Sequence, residues 1–212
     1  MNTIYKRNLS LIFAIIVWFA ILAQFYLIIE NRVAPVPETI IRFFSFFTIL
    51  TNILVAVYFT MNALGRNQFD KAGKLTAITI YITIVGLVYQ LLLRHIWQPT
   101  GLQMVVDELL HSVNPLLVLI YWYLFEMKTS IKYKQIFGWM VFPIVYLVYI
   151  LIRGNFSGFY PYPFINVSEI GISKALVNGL ILLLFFYAVS AFFIFLGRIL
   201  NKRNNPEVIT SS

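Results

Sequence analysis

Asp107–Glu126 reads DELLHSVNPLLVLIYWYLFE. An acidic pair opens it, a histidine follows four residues after Asp107, and an apolar run continues to the next acid at Glu126. Residues four apart stand on one face of a helix, so His111 lies over Asp107, and Asn114 is nearly in line with both. The apolar run from there to Phe125 is what a membrane crossing needs. An ionisable group inside a crossing is costly unless it faces protein, so one helix is expected to carry both a crossing and a polar cluster turned inward.

Working outward, the rest of the chain reads as further crossings. The 212 residues are 60% hydrophobic and only 11% charged, whereas a soluble domain carries about 25% charge. Six apolar stretches account for the difference, at about residues 9–29, 43–64, 75–93, 108–125, 136–152 and 173–199. The first covers roughly 32 Å as a helix, enough for the hydrocarbon core, and no small-residue cleavage site follows it. Pro35 and Pro37 end that helix, and Pro143 kinks the fifth. The predicted fold is all-α, one transmembrane domain of six helices over residues 1–203 with a flexible cytoplasmic tail over 204–212.

The formal net charge is +8. The bases cluster between apolar spans, which points to membrane orientation and away from nucleic acid. Lys and Arg divide eleven to five between the two sides, with Lys6, Arg7, Lys128, Lys132, Lys134 and Arg198 on the richer side and Arg32, Arg42, Arg94, Arg153 and Lys174 on the other. Positive loops stay in the cytoplasm, so both termini are expected there. The absence of cysteine excludes disulfides and a thiolate nucleophile, and two histidines leave little for a metal site, so neither metal nor cofactor is expected.

This orientation brings several polar groups to one depth near the outer leaflet. Thr48 and Asn52, four apart, share a face of the second span. His111 lies about one turn into the fourth. The loop Arg153–Gly171 contains YPYPFI and is unusually aromatic, so Tyr160 and Tyr162 are expected at the mouth of the bundle. A threonine hydroxyl is a weak nucleophile that a histidine within hydrogen-bond reach can activate. Asp107 can orient such a histidine, and Asn52, Asn114 or a tyrosine hydroxyl can stabilise an oxyanion. The plainer alternatives are that Thr48 and Asn52 only join helices and that Asp107 only caps one. HExxH, GxSxG and phosphate-binding glycine loops are all absent, and acids within the spans are too sparse for a proton or cation path.

Four motifs carry a resemblance: FFTILTN around Thr48, LLHSVNPLL around His111, FEMKTS at the end of the fourth span, and YPYPFI before the sixth. Their order and spacing resemble the androgen-induced transmembrane protein family and its bacterial six-helix relatives. Animal members hydrolyse fatty-acid esters of hydroxy fatty acids with an intramembrane threonine and histidine. The resemblance implies Thr48 and His111 in those roles. Leu110 stands where the animal motif has asparagine, and HSVNP departs from the animal continuation, so the bacterial branch is the nearer likeness. It implies a multi-pass protein of the bacterial inner membrane whose partners are membrane lipids and an acyl ester or other amphipathic ligand. The competing functions are a non-catalytic membrane protein that binds a lipid or small ligand, or serves a partner as a subunit, and a small-solute transporter.

Overall fold

The structure, a computed structural model, describes residues 3–66 and 71–204, and its regular structure among those residues is entirely helical. Helix α1 is Thr3–Glu30, α2 Val36–Phe43, α3 Phe47–Ala63, α4 Lys74–Val88, α5 Gly101–Glu108, α6 Asn114–Phe125, α7 Gln135–Ser157, α8 Val167–Ile170 and α9 Ile172–Asn204. Five helical stretches are long and apolar enough to cross a membrane; the bent pair α2–α3 is the sixth candidate.

The buried polar side chains sit within a largely apolar core, and the outside of the bundle is apolar as well. Ser10, Thr51, Asn52, Thr76, Thr79 and Asn114 are fully buried, while Leu180, Leu184, Phe192 and Phe195 of α9 are more than half exposed. That distribution suits a lipid solvent, in which polar side chains join helices and apolar ones face out. With the long apolar helices, it marks a multi-pass membrane protein. Helix α1 packs mainly along α3, where buried Ala14, Ala20 and Ala56 allow close approach. Ser10 Oγ and Tyr121 Oη, 2.7 Å apart, tie α1 to α6, and Trp18 Nε1 donates to Thr60 Oγ1 at 3.1 Å.

The second span departs from the single helix expected over 43–64. Phe43 ends α2, Phe47 begins α3, and the two helices meet at 68°. Pro35 precedes α2 and Pro37 lies in its first turn, where a missing N–H costs little. At the break, Phe46 is extended and Ser45 Oγ bonds back to Ile41 O at 2.7 Å. The bend sends the neighbouring aromatics to different partners. Phe43 packs edge-on to Phe25 of α1, and Phe47 packs on Phe142, Tyr146 and Phe186 of α7 and α9.

The fourth span begins earlier than the expected residue 108. Helical structure is continuous from Gly101 to Phe125, so Asp107 and Glu108 lie inside it and cap nothing. Two turns in the bundle are π-helical: Tyr89–Leu93 after α4 and Leu109–Val113 between α5 and α6. Helix α7 runs through Pro143 and extends to Ser157, five residues past the expected end at 152, which shortens the long loop. Of the expected tail, Asn204 closes α9 and the remainder lies outside the described residues.

At the end of the bundle opposite the aromatic loop, Glu126 joins α4 to α6. Its Oε2 accepts from Thr76 N at 2.8 Å and Thr76 Oγ1 at 2.7 Å, and Trp122 Nε1 donates to the same hydroxyl at 2.8 Å. Lys128 Nζ donates to Tyr123 O at 2.8 Å near the end of α6, and at 3.2 Å to Trp122 O, which also accepts from Glu126 N. With that end held, the register of α4 against α6 is set where the π turns lie.

Candidate functional site

Thr48 is the second residue of α3, just past the bend. Ile49 N and Leu50 N both bond to Phe46 O. The first N–H groups of a helix have no partner within it, and those of Phe47 and Thr48 instead face the Tyr162 hydroxyl, with Thr48 N at 3.4 Å from Tyr162 Oη. The bend thus places a helix N-terminus, two amides and a hydroxyl in the interior.

His111 sits in the π turn Leu109–Val113, and Pro115 explains that turn. In an α-helix Pro115 would give no N–H to His111 O, and its ring would clash with that carbonyl. The wider turn closes instead from Asn114 N to Leu109 O. Gly86 of α4 packs where the turn widens: a Cβ there would lie 3.1 Å from His111 O and 3.3 Å from Pro115 Cγ. The π turn of α4 closes from Arg94 N to Tyr89 O at 2.8 Å. It presents Tyr89 face to face with the His111 ring, centroids 4.2 Å apart and planes within 13°. Both members of the stack therefore come from π turns, a geometry frequent at functional sites.

The Thr48 Oγ1 to His111 Nε2 distance is 3.3 Å, and both side chains are largely buried. On the other edge of the ring, Nδ1 lies 2.9 Å from Asp107 O and 3.4 Å from Asp107 Oδ1. A main-chain oxygen can only accept, so in the neutral ring the proton sits on Nδ1 and the Nε2 lone pair faces the Thr48 hydroxyl. Asp107 therefore orients the histidine chiefly through its carbonyl, one helical turn back.

The two asparagines serve the frame. Asn52 Nδ2 donates to Thr48 O at 2.9 Å and Leu110 O at 3.3 Å, and Asn52 Oδ1 accepts from Asn114 Nδ2 at 2.8 Å. These bonds hold α3 to the helix of His111 and leave neither Nδ2 aimed at a ligand. Of the oxyanion donors considered from sequence, Tyr162 is the one placed at Thr48. It stacks on Phe164 at 5.2 Å and meets Phe46 edge-on at 6.1 Å. Burial raises its phenol above the ordinary value, which keeps the O–H available. Tyr160 goes elsewhere: its ring lies on Gly154 of α7, where no Cβ would fit.

Sequence reasoning missed Tyr89 and a ring of polar side chains beside it. Arg94 pairs with Glu108 and donates to Gln90 Oε1 at 2.6 Å; Gln90 Nε2 donates to Ser112 Oγ at 2.9 Å; Ser112 Oγ donates to Glu108 Oε2 at 2.6 Å. The ring closes across both π turns and holds them together. The spacing Glu108–Ser112 is visible in the sequence, but its partners lie on another helix. The loop is tied down in a similar way. Glu38 Oε1 accepts from Arg42 and Arg153, each at 2.8 Å, and both guanidinium groups stack on Phe159.

Two cavities meet at Thr48 and Tyr162. The smaller, about 70 Å³, is apolar and lies between α4, α7 and α9, against Val85, Leu147 and Phe186. The larger, about 450 Å³, is lined by Phe43, Phe46, Tyr89, Trp97, Asp107 and His111 among others. A hydroxyl beside an imidazole acceptor, with a phenol and the two amides that donate to it next to the hydroxyl, and cavities on both sides, has the parts needed for acyl transfer. No cluster of three or more His, Asp or Glu among the described residues is placed to hold a metal. Compared with protein-family profiles, with curated proteins and with solved structures, the chain matches none.

Proposed function

We propose that the protein is an intramembrane hydrolase of lipid or fatty-acid esters, with Thr48 as nucleophile and His111 as general base. The observation that carries this reading is the 3.3 Å contact of Thr48 Oγ1 with His111 Nε2 where two cavities meet. His111 Nε2 takes the Thr48 proton as Oγ1 attacks the ester carbonyl carbon. The oxygen that becomes negative is held by the Tyr162 O–H and by the Phe47 and Thr48 amides, which it draws from the Tyr162 oxygen. Collapse of the tetrahedral intermediate breaks the ester C–O bond, and the imidazolium returns its proton to the departing alkoxide. Water, deprotonated by the same ring, then releases the acid from acyl-Thr48. The motif resemblance supports the same pair of residues independently of the distances.

We further propose six crossings, with α2–α3 acting as one bent span and both termini in the cytoplasm. The eleven-to-five division of Lys and Arg supports that orientation. The site then lies near the outer leaflet, where water for deacylation is at hand. The resemblance supports a bacterial inner membrane as its location.

The test is hydrolysis of a panel of acyl esters by purified protein, comparing wild type with Thr48→Ala, Thr48→Ser and His111→Ala. The reading predicts turnover in wild type, partial turnover in Thr48→Ser and loss in both alanine variants. Turnover that is equal in all four proteins removes the pair from the mechanism. A second reading, a non-catalytic binder of an amphipathic ligand, is favoured by the cavity of about 450 Å³. It predicts saturable binding without turnover.

A further inference from the structure

The two cavities that meet at Thr48 differ in their walls. His111 lines the larger one and is not among the residues that line the smaller. Gln24, Asn31 and Gln103 add further polar side chains to the larger wall. The smaller wall has polar side chains only at Thr48, Tyr146 and Tyr162, and the Tyr146 hydroxyl is engaged, donating to Ser45 O at 2.9 Å. The rest is hydrocarbon, from Val85 and Val88 of α4, Leu147 of α7, and Leu182, Leu183 and Phe186 of α9. Gly179 of α9 is buried in the same wall, and a Cβ on it would lie 2.9 Å from Leu147 Cδ2.

The position of the base gives the site a direction. A proton held by His111 must pass to the oxygen that leaves, so that oxygen sits beside the imidazole. The alcohol portion of an ester then lies on the His111 side of Thr48, in the larger cavity. Water deprotonated by the same ring enters where the alcohol has left. The other substituent of the carbonyl carbon points away from His111, toward the smaller cavity. A hydrocarbon wall suits an acyl chain, which has no hydrogen-bonding group beyond its carbonyl. We infer that the smaller cavity binds the acyl chain and the larger binds the alcohol portion, with Gly179 setting how long a chain is accepted. The inference rests on the proposed hydrolase reading and narrows its substrates to esters of an unsubstituted acyl chain with a bulkier alcohol that carries polar groups. The volumes agree, with about 450 Å³ on the alcohol side and about 70 Å³ on the acyl side. A larger residue at Gly179 would press on Leu147 and fill the space that both line.

Photolabelling reads that direction without turnover. Two long-chain secondary amides stand in for the ester. They are identical except that one carries a diazirine on the acyl arm and the other on the amine arm, each close to the amide. Each is photolysed with the full-length protein in neutral-lipid nanodiscs, and labelled peptides are mapped by mass spectrometry. Only label that an excess of the diazirine-free amide suppresses is counted, which removes insertion at the lipid-facing surface. The acyl-arm probe is expected on Val85, Leu147 or Leu183, and the amine-arm probe on Leu27, Ile28 or Gln103. The reverse map, both probes on one set of residues, or no suppressible label in either cavity would overturn the inference. Gly179→Leu overpacks the acyl side, so suppressible label from the long-chain amine-arm probe should fall by about tenfold. An acetamide with the same labelled amine arm should label this variant as it labels wild type. Equal loss for both amides, or loss for neither, would remove Gly179 from its role. If Gly179→Leu does not fold, Leu183→Phe narrows the same cavity and makes the same comparison. Ester cleavage with the wrong map sinks this inference alone, whereas the right map without cleavage sinks only the hydrolase reading.

Discussion

A threonine hydroxyl needs a neighbouring base, and at Thr48 that neighbour is held on three sides: by Asp107 O at Nδ1, by the Tyr89 face, and by the π turn that carries the ring. If His111 is the general base, His111→Ala should lower kcat by about 100-fold or more, with the purified variant still eluting as a folded, monodisperse protein. Asp107→Asn should cost far less in kcat, because the carbonyl that fixes Nδ1 remains. Tyr162 gives a second prediction. Tyr162→Phe keeps the ring and its stack on Phe164 but removes the hydroxyl, so kcat should fall by about 100-fold with little change in KM, as for loss of one oxyanion donor. Because burial holds the phenol above its ordinary value, activity that depends on its O–H should persist as pH rises through about 10. An unchanged kcat in Tyr162→Phe would assign the oxyanion to the amides alone. Thr48, His111, Asn52 and Asp107 were legible in the sequence because spacings of four put polar groups on one helix face. Tyr89 was not, because its role depends on the register between two helices, and nothing in either helix alone states that register.

At the scale of elements, the site is made by three departures from regular helix: the break between α2 and α3 and the two π turns. Pro115 was visible in the sequence as part of HSVNPLL, but whether a proline kinks, ends or widens a helix depends on what packs beside it. Here Gly86 leaves the space. This yields a third prediction. Pro115→Ala restores an N–H that can bond to His111 O and lets the turn revert toward α-helix, rotating the imidazole away from Thr48. Activity should drop by about tenfold or more, while the melting temperature holds or rises, since a proline inside a helix is itself unfavourable by about 3 kcal/mol relative to alanine. Gly86→Ala should also reduce activity, by pressing on His111 O from the other side. Full activity in both variants would mean that the π turn does not position the ring. The apolar spans were readable from length and composition. The bend at 44–46 was not, because FFSFF reads as uninterrupted helix unless the separate partners of Phe43 and Phe47 are known.

For the whole molecule, orientation decides whether the site opens toward the outside. The protein has no native cysteine, so single introduced cysteines report sidedness directly. Val33 is 92% exposed in the α1–α2 connection, and Lys132 is exposed in the α6–α7 connection. In intact cells a membrane-impermeant thiol reagent should label Val33→Cys and should reach Lys132→Cys only after lysis. The reverse pattern would put the site in the inner leaflet and invert the charge argument. The whole account depends on Thr48 being a nucleophile, and covalent capture tests that most directly. Purified wild type treated with a lipophilic fluorophosphonate should carry a single adduct that peptide mass spectrometry locates on Thr48. The adduct should be absent from Thr48→Ala and formed far more slowly by His111→Ala. An adduct on another residue, or none in wild type that cleaves esters, would contradict the account.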